Sequence, residues 1–103
     1  MDIEKLVARS RAAQQVIAGY SQEKIDAVVK TLARVVYHNA EPLAKMAAEE
    51  SRMGVYEDKI NKNKGKARIL WHGLKGKKSV GILEYDPVEG IAVLAKPMGV
   101  IGA

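Results

Sequence analysis

The run Lys96-Pro97-Met98-Gly99-Val100-Ile101-Gly102-Ala103 constrains this 103-residue chain more than any other stretch. It is apolar after its proline, with no polar side chain to face water, and such a run suits a strand covered on both faces. Nothing after it in the chain offers a partner strand, whereas chain ends are usually polar and loose unless tied down. The expectation is that these residues are the opening third or less of a larger α/β protein.

Composition points the same way. Hydrophobic residues make up 48% of the chain, too many for an intrinsically disordered segment. They are mostly Ala, Val, Ile and Leu, with no phenylalanine and a single tryptophan, Trp71. Small aliphatic side chains fill a self-contained core poorly, so much of the apolar surface is expected to meet structure outside these residues.

Several chemistries are excluded outright. The chain has no cysteine, hence no disulfide scaffold, no zinc–cysteine site and no thiol nucleophile of its own. Its two histidines, His38 and His72, lack ligand spacing and read as helix-surface residues rather than metal ligands. Met1-Asp2-Ile3-Glu4-Lys5 has neither the basic nor the apolar part of a secretory leader, and no apolar run approaches the ~20 residues of a membrane span. A cytoplasmic location is the default expectation.

The net charge of +5 is unevenly placed. Lys59, Lys62, Lys64, Lys66, Arg68, Lys75, Lys77 and Lys78 fall in one block with no acidic residue, and the rest of the chain is net acidic. A nucleic-acid surface is the sharp reading of that block. With one aromatic, no nucleic-acid motif and no second basic stripe, a solvated helix face and loop is the reading adopted.

Periodicity predicts four helices and then a hairpin. The first helix runs from Ile3 to Ala18, with Gly19 as a left-handed stop. Ser21 caps the second, where Tyr20 and Ile25 have the spacing of a hydrophobic staple. Its apolar stripe is Ile25, Val28, Val29, Leu32, Val35 and Val36. Asn39 breaks and recaps, Ala40-Glu41-Pro42 opens a third helix, and Gly54 ends it. The fourth spans Tyr56 to Leu74 and presents Ile60, Asn63, Ala67, Leu70, Trp71 and Leu74 on one side, with Gly65 weakening its middle. The period then changes to two. Ser79–Tyr85 and Gly90–Ala95 read as antiparallel strands around the turn residues Asp86-Pro87-Val88-Glu89.

Two stretches carry a family resemblance. Lys96–Ala103 resembles the segment that leads into the coenzyme domain of the aldehyde dehydrogenase superfamily. Ala48-Glu49-Glu50-Ser51-Arg52-Met53-Gly54-Val55-Tyr56-Glu57-Asp58-Lys59-Ile60-Asn61-Lys62-Asn63 is similar to the CoA-acylating branch, through methionine-glycine, Glu-Asp-Lys and Lys-Asn. One departure is visible: Ser51-Arg52 stands where the branch usually has threonine-glycine. The resemblance covers essentially the whole chain. It implies an α/β parent divided as 1–78, the N-terminal helical segment of the coenzyme-binding domain; 79–96, the β-hairpin of an oligomerisation element; and 97–103, the first strand of the coenzyme-binding sheet.

The implied activity is oxidation of a short aldehyde to acyl-CoA with NAD or NADP. In the family, a cysteine thiolate attacks the carbonyl and the resulting thioester passes to CoA. That cysteine lies far beyond residue 103, so no catalytic, cofactor-binding or metal residue is carried over, and none of these cofactors is expected to bind this fragment, which should be inactive. Homo-oligomerisation through the hairpin is implied, with no nucleic acid or membrane partner.

Each tempting local motif has a plainer reading. Gly99 and Gly102 lack the strand–turn–helix setting of a phosphate loop and read as close packing in a strand. Glu57, Asp58 and Lys59 read as a first-turn acidic cluster with a local lysine partner rather than an acid/base group. Met46 and Met53 read as core or edge packing. The competing functions are a small helical interaction module and a basic nucleic-acid binder, the latter predicting affinity that falls steeply with salt.

Overall fold

The computed structural model describes residues 1–103. In chain order the elements are α1 (Ile3–Ile17), α2 (Gln22–His38), α3 (Ala40–Ser51), α4 (Tyr56–Leu74), β1 (Gly81–Asp86) and β2 (Ile91–Ala95). They fall into two compact units, Met1–Ile25 with Lys78–Ala103, and Asp26–Lys77.

In the first unit, Asp2 caps α1. Its Oδ1 accepts from the Lys5 N–H at 3.2 Å, satisfying one of the free donors of the first turn. The helix does not stop on a left-handed glycine as expected. Ala18 keeps right-handed angles and Gly19 has no positive φ. The Gly19 and Tyr20 N–H groups instead donate to Val16 and Ile17 carbonyls three residues back, closing the helix with a tightened turn. Ser21 caps α2 as expected, its Oγ accepting from the Lys24 N–H at 3.3 Å.

The hairpin pairs β1 and β2 antiparallel, Gly81 with Ala95 at one end and Asp86 with Ile91 at the other. The register slips by one residue between Ile82 and Glu84, leaving Leu83 as a bulge. Asp86 builds the turn: its Oδ1 accepts from the N–H groups of Val88 at 2.8 Å and Glu89 at 3.1 Å. Ser79 and Val80, expected inside the first strand, lie before it because Gln22 holds them. The Gln22 Oε1 accepts from the Ser79 N–H at 2.7 Å and the Val80 N–H at 3.1 Å, and its Nε2 donates to Ser79 Oγ at 3.0 Å. Tyr20 and Ile25, the two staple residues, line a cleft with Val80, Ala95 and Pro97.

The expected strand at 97–103 does not form. Residues 96–103 have no regular structure, and the only sheet has two strands. A strand exists through pairing, and here Gly99–Ala103 instead run beside α1, lining a groove with Ile3, Leu6 and Val7.

In the second unit, α3 and α4 meet through small residues. Ala40, Ala44 and Ala67 are its buried side chains, and the Asn63 Nδ2 donates to the Ala40 carbonyl at 3.2 Å. Asn39 separates α2 from α3 but caps in the other direction. It makes no cap bond to α3, and its Nδ2 donates to the Val35 carbonyl of α2 at 2.8 Å. The third helix ends at Ser51, ahead of the expected Gly54, on Arg52 in the left-handed conformation at φ 52°. The fourth helix has the expected bounds.

Three alanines make a thin core. Twenty-six large hydrophobic residues remain exposed, among them Leu32, Leu70, Val88, Met98 and Ile101.

Candidate functional site

The residues singled out in the sequence do not converge. His38 lies in the last turn of α2, edge-on to Tyr37 at 5.7 Å, and His72 in the last turn of α4. No group of three His, Cys, Asp or Glu side chains could hold a metal ion. Glu57 and Asp58 occupy the first turn of α4, where the helix dipole favours negative charge. The local lysine partner expected for them is absent. Lys59 makes neither of the two ion pairs in the structure, and its stem lies against Gly54. Met46 and Met53 are exposed rather than core.

Gly99 has φ 91° in chain without regular structure, and Gly102 follows in the same stretch.

The basic block divides on folding. At about 100° per residue, Lys59, Lys62 and Lys66 fall on one side of α4, Lys64 and Arg68 on the other. Lys75, Lys77 and Lys78 follow the helix. The lysines therefore flank an apolar stripe instead of forming the single basic track that nucleic acid follows.

That stripe, with its counterpart on α2, is the most developed surface of the second unit. A groove of about 320 Å³ runs between α2 and α4, floored by Val29, Leu32 and Val36 from one helix and Leu70, Trp71 and Leu74 from the other. Lys62 and Lys66 stand along its α4 edge, and no acidic residue lines it. Beyond Ala33 and Ala67 a shallower cleft is bordered by Lys30, Arg34, Tyr37 and Arg68. Lys30 sits 6.0 Å from the Trp71 ring centre and Lys64 6.0 Å from that of Tyr37.

The comparisons say what the chain is similar to. No family model matches the sequence. The chain is 45% identical over 103 residues to a succinate-semialdehyde dehydrogenase (acetylating) of Clostridium kluyveri, covering 100% of this chain and 23% of that protein. It is 42% identical over 96 residues to a sulfoacetaldehyde dehydrogenase (acylating) of Bilophila wadsworthia, covering 91% of this chain and 21% of the relative. Among solved structures, a probable aldehyde dehydrogenase from Listeria monocytogenes superposes with a TM-score of 0.82 at 33% identity, over 87% of this chain and 20% of that one.

Along its length the chain is similar to the N-terminal fifth or so of acylating aldehyde dehydrogenases. It spans less than a quarter of the length of the curated relatives it matches. The four helices and hairpin match aldehyde dehydrogenase structures as a fragment of that fold. The alternatives of an independent helical module and a nucleic-acid binder are not favoured. No helix is long and apolar enough to cross a membrane.

Sequence reasoning missed Gln22. A side chain whose partners lie 57 and 58 residues away leaves no periodic or motif signal.

Proposed function

We propose that this chain is the N-terminal scaffold of a cytoplasmic enzyme that oxidises a short aldehyde to acyl-CoA with NAD or NADP. Residues 1–78 brace the coenzyme-binding domain, 79–96 form the hairpin that reaches another subunit, and 97–103 become the first strand of the coenzyme sheet once a neighbouring strand is present. The observation that carries the reading is the end-to-end match at 45% identity to an acetylating dehydrogenase. The large uncovered apolar surface supports it.

The thiol that such chemistry needs comes from outside these residues, since they contain no cysteine. NAD or NADP accepts the hydride in the overall reaction, aldehyde plus CoA plus oxidised coenzyme giving acyl-CoA, reduced coenzyme and a proton. What these residues contribute is position: Gln22 sets where the hairpin leaves the helices, and α2 with α4 offers an apolar seat.

The test is a coupled absorbance assay at 340 nm on the protein from the complete reading frame containing this chain. Succinate semialdehyde, sulfoacetaldehyde, acetaldehyde and propionaldehyde are supplied in turn with either coenzyme. Reduction that requires both an aldehyde and CoA is expected, with none from residues 1–103 alone. Absence of CoA-dependent reduction across the panel would overturn the reading, as would turnover by the purified 103-residue chain.

A further inference from the structure

We infer that the groove between α2 and α4 is the seat of an amphipathic helix with an acidic edge, supplied by the same polypeptide beyond residue 103. The inference rests on the proposed enzyme reading and names the partner of one of its surfaces. The floor is apolar, and four of its side chains are 38% to 62% exposed: Leu32, Val36, Leu70 and Leu74. Left open, a strip of that kind marks a binding surface.

Its dimensions suit a helix. Val29 to Val36 and Asn63 to Leu74 extend for about 10 and 16 Å along their helices at 1.5 Å per residue, so about three turns of a docked helix would lie over the floor. Such a helix reads the groove with apolar anchors at i, i+3 or i+4, and i+7.

The rim supplies the second requirement. Lys62 and Lys66 are one turn apart on α4, neither makes an ion pair, and no carboxylate lines the groove to answer them. A partner that seats its apolar face on the floor brings its flank against these lysines. Carboxylates one turn apart on that flank complement them and basic residues repel them. The length of the relatives favours the same polypeptide over a second copy: they are four to five times as long as this chain, and the residues beyond the matched segment can supply such a helix.

The experiment is zero-length carboxyl-to-amine cross-linking of the full-length protein, mixed from unlabelled and 15N-labelled stocks and read by mass spectrometry. Expected are links from Lys62 and Lys66 to Asp or Glu residues spaced three or four apart beyond residue 103, within single chains. Changing both lysines to glutamate (Lys62→Glu, Lys66→Glu) is expected to remove those links and to speed hydrogen exchange across α2 and α4 in the full-length protein. Mixed-label links at these lysines would overturn the inference, as would links confined to residues 1–103 or none at all. If the cross-links fail while CoA-dependent aldehyde oxidation persists, the docking inference falls and the enzyme reading stands.

Discussion

Arg52 holds a backbone conformation that suits glycine. In the left-handed region an L-residue's Cβ crowds the following carbonyl oxygen, at about 1–2 kcal/mol, and Arg52 sits there at φ 52° to close α3. Replacing it by glycine is expected to raise stability by about 1 kcal/mol, read as a higher urea midpoint at unchanged slope; no gain would mean that α3 does not end on this conformation. Gly65 is the opposite case. It lies inside α4, and a Cβ built there meets nothing within 4 Å. Gly65→Ala should therefore stabilise by roughly 1 kcal/mol, measured the same way, and a loss would show that something approaches that position. The sequence already exposes Gly65 as a helix weakness, since propensity is local. It also shows Ser51-Arg52 as a departure from the acylating branch. It does not show the left-handed angle of Arg52, because where a helix stops depends on which backbone carbonyls find donors: here the Arg52 N–H reaches Ala48. Gly19 was misread for the same reason.

The helices were legible because their apolar positions recur with the period of the backbone, and α4 runs from Tyr56 to Leu74 as its pattern indicates. The hairpin was legible as a pair of strands and a turn, since Asp86 before Pro87 has the chemistry to bond the next two N–H groups. Its details were not. The bulge at Leu83 comes from a register slip between two strands that are apolar on both faces, where alternation gives no rule for which side is inside. The root of the hairpin is set by Gln22, whose amide holds Ser79 and Val80 through three hydrogen bonds. Gln22→Ala is expected to cost about 1 kcal/mol, the net worth of hydrogen bonds partly open to water, and to speed exchange of the Ser79 and Val80 amides while leaving α3 and α4 unchanged. Equal loss of protection in α3 would mean that Gln22 supports the whole chain and not the hairpin root. The apolar groove between α2 and α4 was half visible, as two separate stripes; that both line one groove is a tertiary fact that periodicity within each helix does not carry.

At the scale of the whole molecule, the chain folds its helices locally and leaves its apolar faces without a cover. Burying one of the exposed valines, isoleucines or leucines would contribute roughly 1.5–3 kcal/mol, and whole domains have only about 5–15 kcal/mol in hand. Both strands of the hairpin are exposed apart from partly covered Ala95, and a two-stranded ribbon is marginal in water. The run Met98–Ala103, read in the sequence as a strand, has no regular structure because strand identity is a property of the sheet a segment joins, and no strand pairs with it here. Hydrogen exchange on the isolated chain at low micromolar concentration tests this account most directly. The amides of α2, α3 and α4 should be partly protected, while those from Val80 through Ile101 exchange at close to the rates of free peptide. Strong protection from Val80 through Ile101 in a dilute monomer would contradict it, showing that these residues complete a sheet and a core among themselves.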